Sequence, residues 1–267
     1  MSSSRTWTAW PGVSVALRRI EDVADPSSLL EAERRLFDEL ASPRRRREWC
    51  AGRLAAHDAL VSAGAGPLAI LRDHRGAPEL APPTSGDPED DAAARARQYR
   101  VAISHGRRLA GAVVGPAHHG CFHLGLDIID PEDVDRLTRL EKRVFSPFEI
   151  ALGKQRGPRE VYRVAWGARE AIAKATRTGM FAFALTHIRL ADLTETTAEV
   201  ELQGGIRVSH MKTPDDEVVV IAAVSEEAFA WANRTARVAP SDCAHARESD
   251  APGATSPGGA GSKEPGG

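Results

Sequence analysis

Acidic and basic side chains that could bind a metal ion and a phosphate group occur at two places in the second half of the chain. Asp127 lies within the apolar run His123–Ile129, whose composition is typical of a strand. A carboxylate in such a run is costly to bury unless it is paired or holds a metal ion. Glu170 and Lys174, four residues apart, lie on one face of a predicted helix. For Asp127, the alternative is a structural role in which its carboxylate is paired or hydrogen-bonded. For Glu170 and Lys174, the alternative is an ion pair within the helix.

A third segment, VAISHGRR at 101–108, is predicted to be a strand that ends in polar groups. Ser104, His105 and the two arginines that follow could donate hydrogen bonds to a phosphate group. The alternative interpretation is a polar turn between two strands.

Composition excludes several classes of function. The chain has 35 Lys+Arg against 37 Asp+Glu, so it lacks the basic field of a nucleic-acid-binding protein. Its three widely spaced cysteines do not form a disulfide framework, which favours a reducing compartment. No apolar run approaches the roughly 18 residues that a membrane-spanning helix needs. We therefore expect a cytoplasmic protein with no nucleic-acid or membrane partner.

The pattern predicts an N-terminal half at 1–122, a C-terminal half at 123–238 and a disordered tail at 239–267. The polar stretch 82–98 is predicted to be a flexible, exposed insertion. The predicted helices are 26–40, 48–63, 131–144 and 160–175, and the predicted strands are 68–72, 100–104, 110–114, 123–129, 186–190, 198–202, 207–210 and 217–223. Helices with antiparallel strands in both halves indicate an α+β fold.

Two other kinds of site fit the sequence less well. A serine hydrolase built on Ser104, His105 and Asp127 fails, because neighbouring strand residues face opposite sides and the sequence has no Gly-x-Ser-x-Gly elbow. A zinc site built on His119, Cys121 and His123 lacks a fourth ligand, and a solvated loop is favoured there.

Taken together and in order along the chain, these segments resemble the 4′-phosphopantetheinyl transferase family. The family's signature is a Gly-Ile/Val-Asp strand followed by a Trp-x-x-Lys-Glu-x-x-x-Lys helix. The resemblance spans most of the chain before the tail. The six matching segments are SPRRRREWCAGR at 42–53, GAP at 76–78, ISH at 103–105, GLD at 125–127, FSPFE at 145–149 and WGAREAIAK at 166–174.

The resemblance implies a pseudo-dimer of two helix-plus-antiparallel-sheet halves with the active site between them. It also implies that coenzyme A gives its phosphopantetheine arm to a serine of an apo acyl or peptidyl carrier protein. Asp127 and Glu170 would bind Mg²⁺, and Lys174 would contact the phosphate. Glu170 would take the proton of the serine either directly or through a metal-bound water. The coenzyme A contacts that the resemblance implies are Arg45, Arg53, Arg75, Gly76, Pro78, Ser104, His105 and Lys174.

The sequence departs from the family's pattern at three positions. Ile129 stands where two-half members often carry a further acid, so we expect water to fill that coordination position. Arg169 replaces the usual lysine, and Ala77 stands at an often basic position for which Arg75 is expected to substitute. Ile129 and Ala77 leave open a non-catalytic homologue that binds coenzyme A or a carrier protein. Retention of both acids and the helix lysine favours the enzyme, and a chain with both halves is expected to be a monomer.

Overall fold

The computed structural model describes residues 4–23, 25–82, 91–117, 123–180, 187–201 and 205–238. The strands are β1 (Arg5–Trp10), β2 (Val13–Arg19), β3 (Ala69–Arg72), β4 (Pro78–Ala81), β5 (Tyr99–His105), β6 (Leu109–Pro116), β7 (His123–Ile129), β8 (Arg189–Leu193), β9 (Thr197–Glu201), β10 (Ile206–Lys212) and β11 (Val218–Val224). The helices are α1 (Glu31–Asp38), α2 (Pro43–Ser62), α3 (Ala92–Gln98), α4 (Asp133–Arg139), α5 (Glu141–Val144), α6 (Pro147–Arg156), α7 (Pro158–Thr176) and α8 (Glu226–Val238). The predicted α+β class is confirmed.

The described strands form two larger antiparallel sheets and a hairpin. The four-stranded sheet has the order β1-β2-β6-β5, the five-stranded sheet has the order β7-β11-β10-β9-β8, and β3 pairs with β4. All strands of the first sheet precede residue 117, and those of the second follow residue 122. Each larger sheet is therefore built from one continuous part of the chain.

A shared core joins the two larger sheets. Val15 and Leu17 of the first sheet belong to one buried cluster with Leu126 and Ile128 of the second. Side chains alternate along a strand, so the opposite faces are free to pack against helices. Helix α2 covers the outer face of the first sheet, and α7 covers that of the second. The order of layers is α2, first sheet, second sheet, α7.

Several predicted elements need correction. The sequence prediction missed β1, β2, β4, α6 and α8. The helix predicted over 26–40 is confined to α1, preceded by a short 3₁₀ helix. The last part of the predicted insertion is also not a loop, because 92–98 forms α3 and buries Ala92 and Ala96. Residues 83–90 and the predicted tail lie outside the described residues.

In the described part of the chain, no helix combines the length and apolar composition that a bilayer crossing requires.

Candidate active site

A cavity of about 650 Å³ opens between the two larger sheets, beside α2 and α7. It collects residues that are far apart in the sequence, from positions 44 to 174. Of the predicted site residues, it is lined by Arg45, Arg53, Gly76, Pro78, Ser104, His105, Asp127, Glu170 and Lys174. Arg75 is the predicted residue that this cavity lacks.

Asp127 enters the cavity because β7 and α7 pack unusually closely. Gly125 precedes it on the same face of β7, and a Cβ atom there would lie 1.8 Å from the Ala171 carbonyl oxygen. A Cβ atom at Gly167 of α7 would lie 2.3 Å from the Ile129 side chain. Glycine at both positions lets the helix backbone approach the strand, which brings the acidic and basic side chains of α7 beside Asp127.

Lys174 pairs with Asp127 and not with Glu170. Its Nζ atom lies 2.6 Å from Asp127 Oδ1 and donates to Ser104 Oγ at 3.0 Å. The Ser104 hydroxyl in turn lies 3.1 Å from Asp127 Oδ1 and donates to it. The ion pair within the helix, which the spacing of Glu170 and Lys174 left open, is not formed. Instead, the three side chains join β5, β7 and α7 across the two halves.

The Glu170 carboxylate has a different environment. Within the described residues, no hydrogen bond reaches it. Burial raises the pKa of Glu170 above its ordinary value, and the nearby negative charge of Asp127 raises it further. The positive charges of Lys174 and Arg136 act in the opposite direction. Asp127 and Glu170 are thus close enough to repel each other, which is the situation that a bound cation would relieve.

The donor set fits Mg²⁺. The cation prefers oxygen ligands, and protein sites often supply one or two carboxylates while phosphate oxygens and water complete the coordination. Asp127 and Glu170 provide two such carboxylates on one cavity wall. The described residues contain no cluster of three or more potential metal-ligating side chains, so phosphate oxygens and water would complete the coordination.

A basic wall, formed by Arg45, Arg53 and His105, lines the same cavity. Arg45 Nη1 lies within hydrogen-bond distance of His105 Nε2, at 2.9 Å. Arg53 is 6% exposed and stacks over the Trp49 ring at 4.4 Å. Burial lowers the pKa of its guanidinium to about 10, so it stays charged at neutral pH. These cations are suited to an anionic ligand.

The turn between β3 and β4 separates Arg75 from the cavity. The Asp73 carboxylate accepts the backbone N–H groups of Arg75 at 2.8 Å and Ala77 at 2.9 Å. Gly76 has a φ of +82°, which glycine adopts readily. Arg75 lines an adjoining cavity of about 370 Å³, whose lining also includes Glu170 and Lys174. Arg75 and the basic wall therefore line two adjoining cavities that have Glu170 and Lys174 in common.

Sequence reasoning missed several further residues that line the main cavity. They are Arg44, Glu48, Arg72, Asp130, Asp133 and Arg136, whereas Arg107, which also lines the cavity, is one of the two arginines expected to bind a phosphate group. Arg136 lies over the Trp166 ring at 5.5 Å and pairs with Asp133 at 3.1 Å. The sequence contains a signal for some of these residues. A run of charged residues directly follows β7, the strand that carries Asp127, and could have been predicted to lie near the same site.

Arg169 does not belong to the cavity. It is fully buried, and its Nη2 atom donates to both oxygens of Glu149, at 2.8 and 2.7 Å. Glu149 also caps α6 through the Ser146 backbone and accepts the Leu190 N–H. Arg169 is therefore engaged away from the cavity, because the FSPFE segment and the helix signature meet in a buried ion pair.

The rival sites find no support among the described residues. Ser104 bonds to Asp127 and Lys174, while His105 bonds to Arg45, so the two neighbours do not form a catalytic pair. His123 pairs with Glu226 at 2.9 Å and stacks on the Phe229 ring. The other two residues of the suggested zinc site lie outside the described residues.

Two family models match the chain. The model described as the 4′-phosphopantetheinyl transferase N-terminal domain matches residues 32–86. The model described as the 4′-phosphopantetheinyl transferase superfamily matches residues 123–224. Together they cover more than half of the chain and include every predicted site residue except Ser104 and His105. A search of curated proteins found no match.

Proposed function

Because the chain belongs to the 4′-phosphopantetheinyl transferase superfamily, we propose that it transfers the phosphopantetheine arm of coenzyme A to a serine of an apo acyl or peptidyl carrier protein. The other product is adenosine 3′,5′-bisphosphate. The observation that best supports this proposal is the meeting of Asp127, Glu170 and Lys174 in one cavity with a basic wall. A protein that only bound coenzyme A would not need the two repelling carboxylates.

In the reaction, the serine oxygen forms a bond to the phosphorus that carries pantetheine, and the bond from that phosphorus to the bridging oxygen of the diphosphate breaks. Asp127 and Glu170 would hold Mg²⁺, which would neutralise negative charge at the diphosphate. Burial of Glu170 increases its proton affinity, which suits it to accept the serine proton. Lys174 provides a fixed positive charge beside the transferred phosphate.

The basic wall is proposed to hold the nucleotide end of coenzyme A. Arg45 is half-exposed, whereas Arg53 is held by Trp49 and by a hydrogen bond to the Ile70 carbonyl at 3.2 Å. The buried guanidinium is positioned before any ligand binds, which reduces the entropy lost on binding. His105 and Ser104 complete this wall from the end of β5.

Direct transfer is the first test. The full chain is incubated with coenzyme A, Mg²⁺ and a panel of apo carrier proteins, and the intact mass of each carrier is measured. At least one carrier gains the mass of one phosphopantetheine group, and its serine-to-alanine variant does not. If no carrier gains mass although coenzyme A binds in calorimetry, the chain is the non-catalytic homologue.

Arg45 provides a test of the nucleotide end. The Arg45→Gln variant weakens coenzyme A binding about 10-fold, because one charged hydrogen-bond donor is lost from the wall. Calorimetric titration with coenzyme A measures this change. The Arg35→Gln variant is the matched control, since Arg35 pairs with Glu31 on exposed α1 and does not line the cavity. Equal affinities in the two variants would remove Arg45 from the proposed site.

A further inference from the structure

Asp130 holds a turn that belongs to the other half of the protein. It follows β7 directly and is 5% exposed. Both of its carboxylate oxygens accept the backbone N–H of Arg107, at 3.1 and 3.0 Å. Arg107 lies in the turn that joins β5 to β6. The carboxylate is thus engaged with the main chain.

The turn lies directly against this carboxylate. A Cβ atom on Gly106 would be 2.9 Å from Asp130 Oδ1 and 3.1 Å from Oδ2, so the residue at this position must be small. His105, Gly106 and Arg107 all line the main cavity. Asp130, which also lines this cavity, is therefore in direct contact with this part of its wall.

A second acid holds the other end of the same turn. Arg108 Nε donates to Glu217 Oε1 at 3.0 Å, and Arg108 Nη2 donates to the Asp215 carbonyl at 2.9 Å. Glu217 is fully buried and also accepts the Thr213 hydroxyl. The β5–β6 turn is thus fixed at two adjacent residues by acids of the C-terminal half. Both carboxylates that contact the turn are buried.

We propose that Asp130 is a positioning residue, which fixes the β5–β6 turn so that His105 and Arg107 meet the phosphate groups of coenzyme A. This inference rests on the proposed function. It also distinguishes Asp130 from the metal-binding acids: with Ile129 packed on Gly167, Asp130 is the nearest following acid, but the turn occupies its oxygens. Asp130 acts on the ligand indirectly, through the main chain of Arg107.

Asp130→Ala and Asp130→Asn test this role in the full chain. Asp130→Ala raises the KM for coenzyme A by about 10-fold or more and changes kcat less than about 3-fold, because a displaced turn weakens binding. Asp130→Asn recovers most of the affinity, since its amide oxygen can accept the same N–H. The Mg²⁺ concentration for half-maximal rate stays at the wild-type value in both variants.

The matched control is Asp58→Ala. It removes the partly buried pair of Asp58 with Arg18, which lies outside the cavity lining. This variant lowers the melting temperature but leaves the KM for coenzyme A unchanged. If Asp130→Ala does not fold, Asp130→Glu replaces it, because the longer side chain pushes against Gly106 and raises the KM in the same way.

Three results would overturn the positioning role. They are an unchanged KM in folded Asp130→Ala or Asp130→Glu, a raised Mg²⁺ requirement, and an Asp130→Asn variant no better than Asp130→Ala. Calorimetric titration with coenzyme A separates this inference from the proposed function. If wild type binds coenzyme A but transfers nothing, the function fails while the affinity loss in Asp130→Ala still tests the turn. If wild type does not bind coenzyme A, both fail.

Discussion

Replacing Glu170 with glutamine lowers the rate of phosphopantetheine transfer by about 10²- to 10⁴-fold, the usual range for loss of a general base. Glutamine has nearly the same shape as glutamate, but it cannot accept a proton and is a weaker metal ligand. Intact-mass measurements of the carrier over time give the rate. The melting temperature is expected to change little, because no hydrogen bond from the described residues reaches the Glu170 carboxylate.

The control for this variant is Glu160→Gln, an exposed change in the first turn of the same helix. It leaves the transfer rate unchanged. A Glu170→Gln variant that keeps the wild-type rate and loses only a few tenths of a kcal/mol in stability would assign Glu170 to an ordinary helix surface.

Replacing Gly125 with alanine destabilises the protein by about 3 kcal/mol or more, at the upper end of the cost of overpacking a core. The new methyl carbon would lie 1.8 Å from the Ala171 carbonyl oxygen and 3.0 Å from the Ala175 backbone nitrogen. Main-chain atoms cannot rotate away, so α7 must move off β7. Urea unfolding followed by circular dichroism measures the change in the free energy of unfolding.

The same displacement separates Lys174 from Asp127, so transfer is also expected to fall in the folded fraction of Gly125→Ala. Gly205→Ala is the control, because the nearest atom to its added Cβ would be the Ser225 Cβ at 3.3 Å, so that a shift of a few tenths of an ångström relieves the contact. If Gly125→Ala is as stable as Gly205→Ala, close packing of glycine does not position the site.

The strand and helix that carry the signature were predictable because their signals are local. The bounds predicted for β7 agree with the structure, and Asp130 and Pro131 mark the end of its apolar run. The predicted helix 160–175 is nearly the whole of α7, where buried Val161, Val164, Ala168 and Ile172 repeat at helical spacing. The local pattern of apolar residues is therefore enough to predict that Asp127 lies on a strand and Glu170 on a helix.

The elements that were missed have weaker local signals. Strands β1 and β2 flank Pro11 and Gly12, a turn dipeptide that could have indicated a hairpin. Helix α8 buries Ala228 and Ala232 and packs the partly buried Phe229 and Trp231 on the core, a pattern that could have indicated a helix. Helix α3 packs through alanines, so its stretch resembles a polar insertion.

The amino-acid sequence alone is enough to predict the α+β class and the two signature elements. Through the resemblance, it also predicts which residues share one site. The ion-pair and hydrogen-bond partners of the charged residues depend on the tertiary structure. Lys174 pairs with Asp127, Arg169 pairs with Glu149, and Asp130 accepts the Arg107 backbone N–H. The spacing of residues along one helix predicts which side chains of that helix lie close together. It does not predict these pairs, whose members lie 20 or more residues apart in the sequence. Their pairing depends on how closely β7, α7 and the β5–β6 turn approach, and that distance is set by the packing of the whole core.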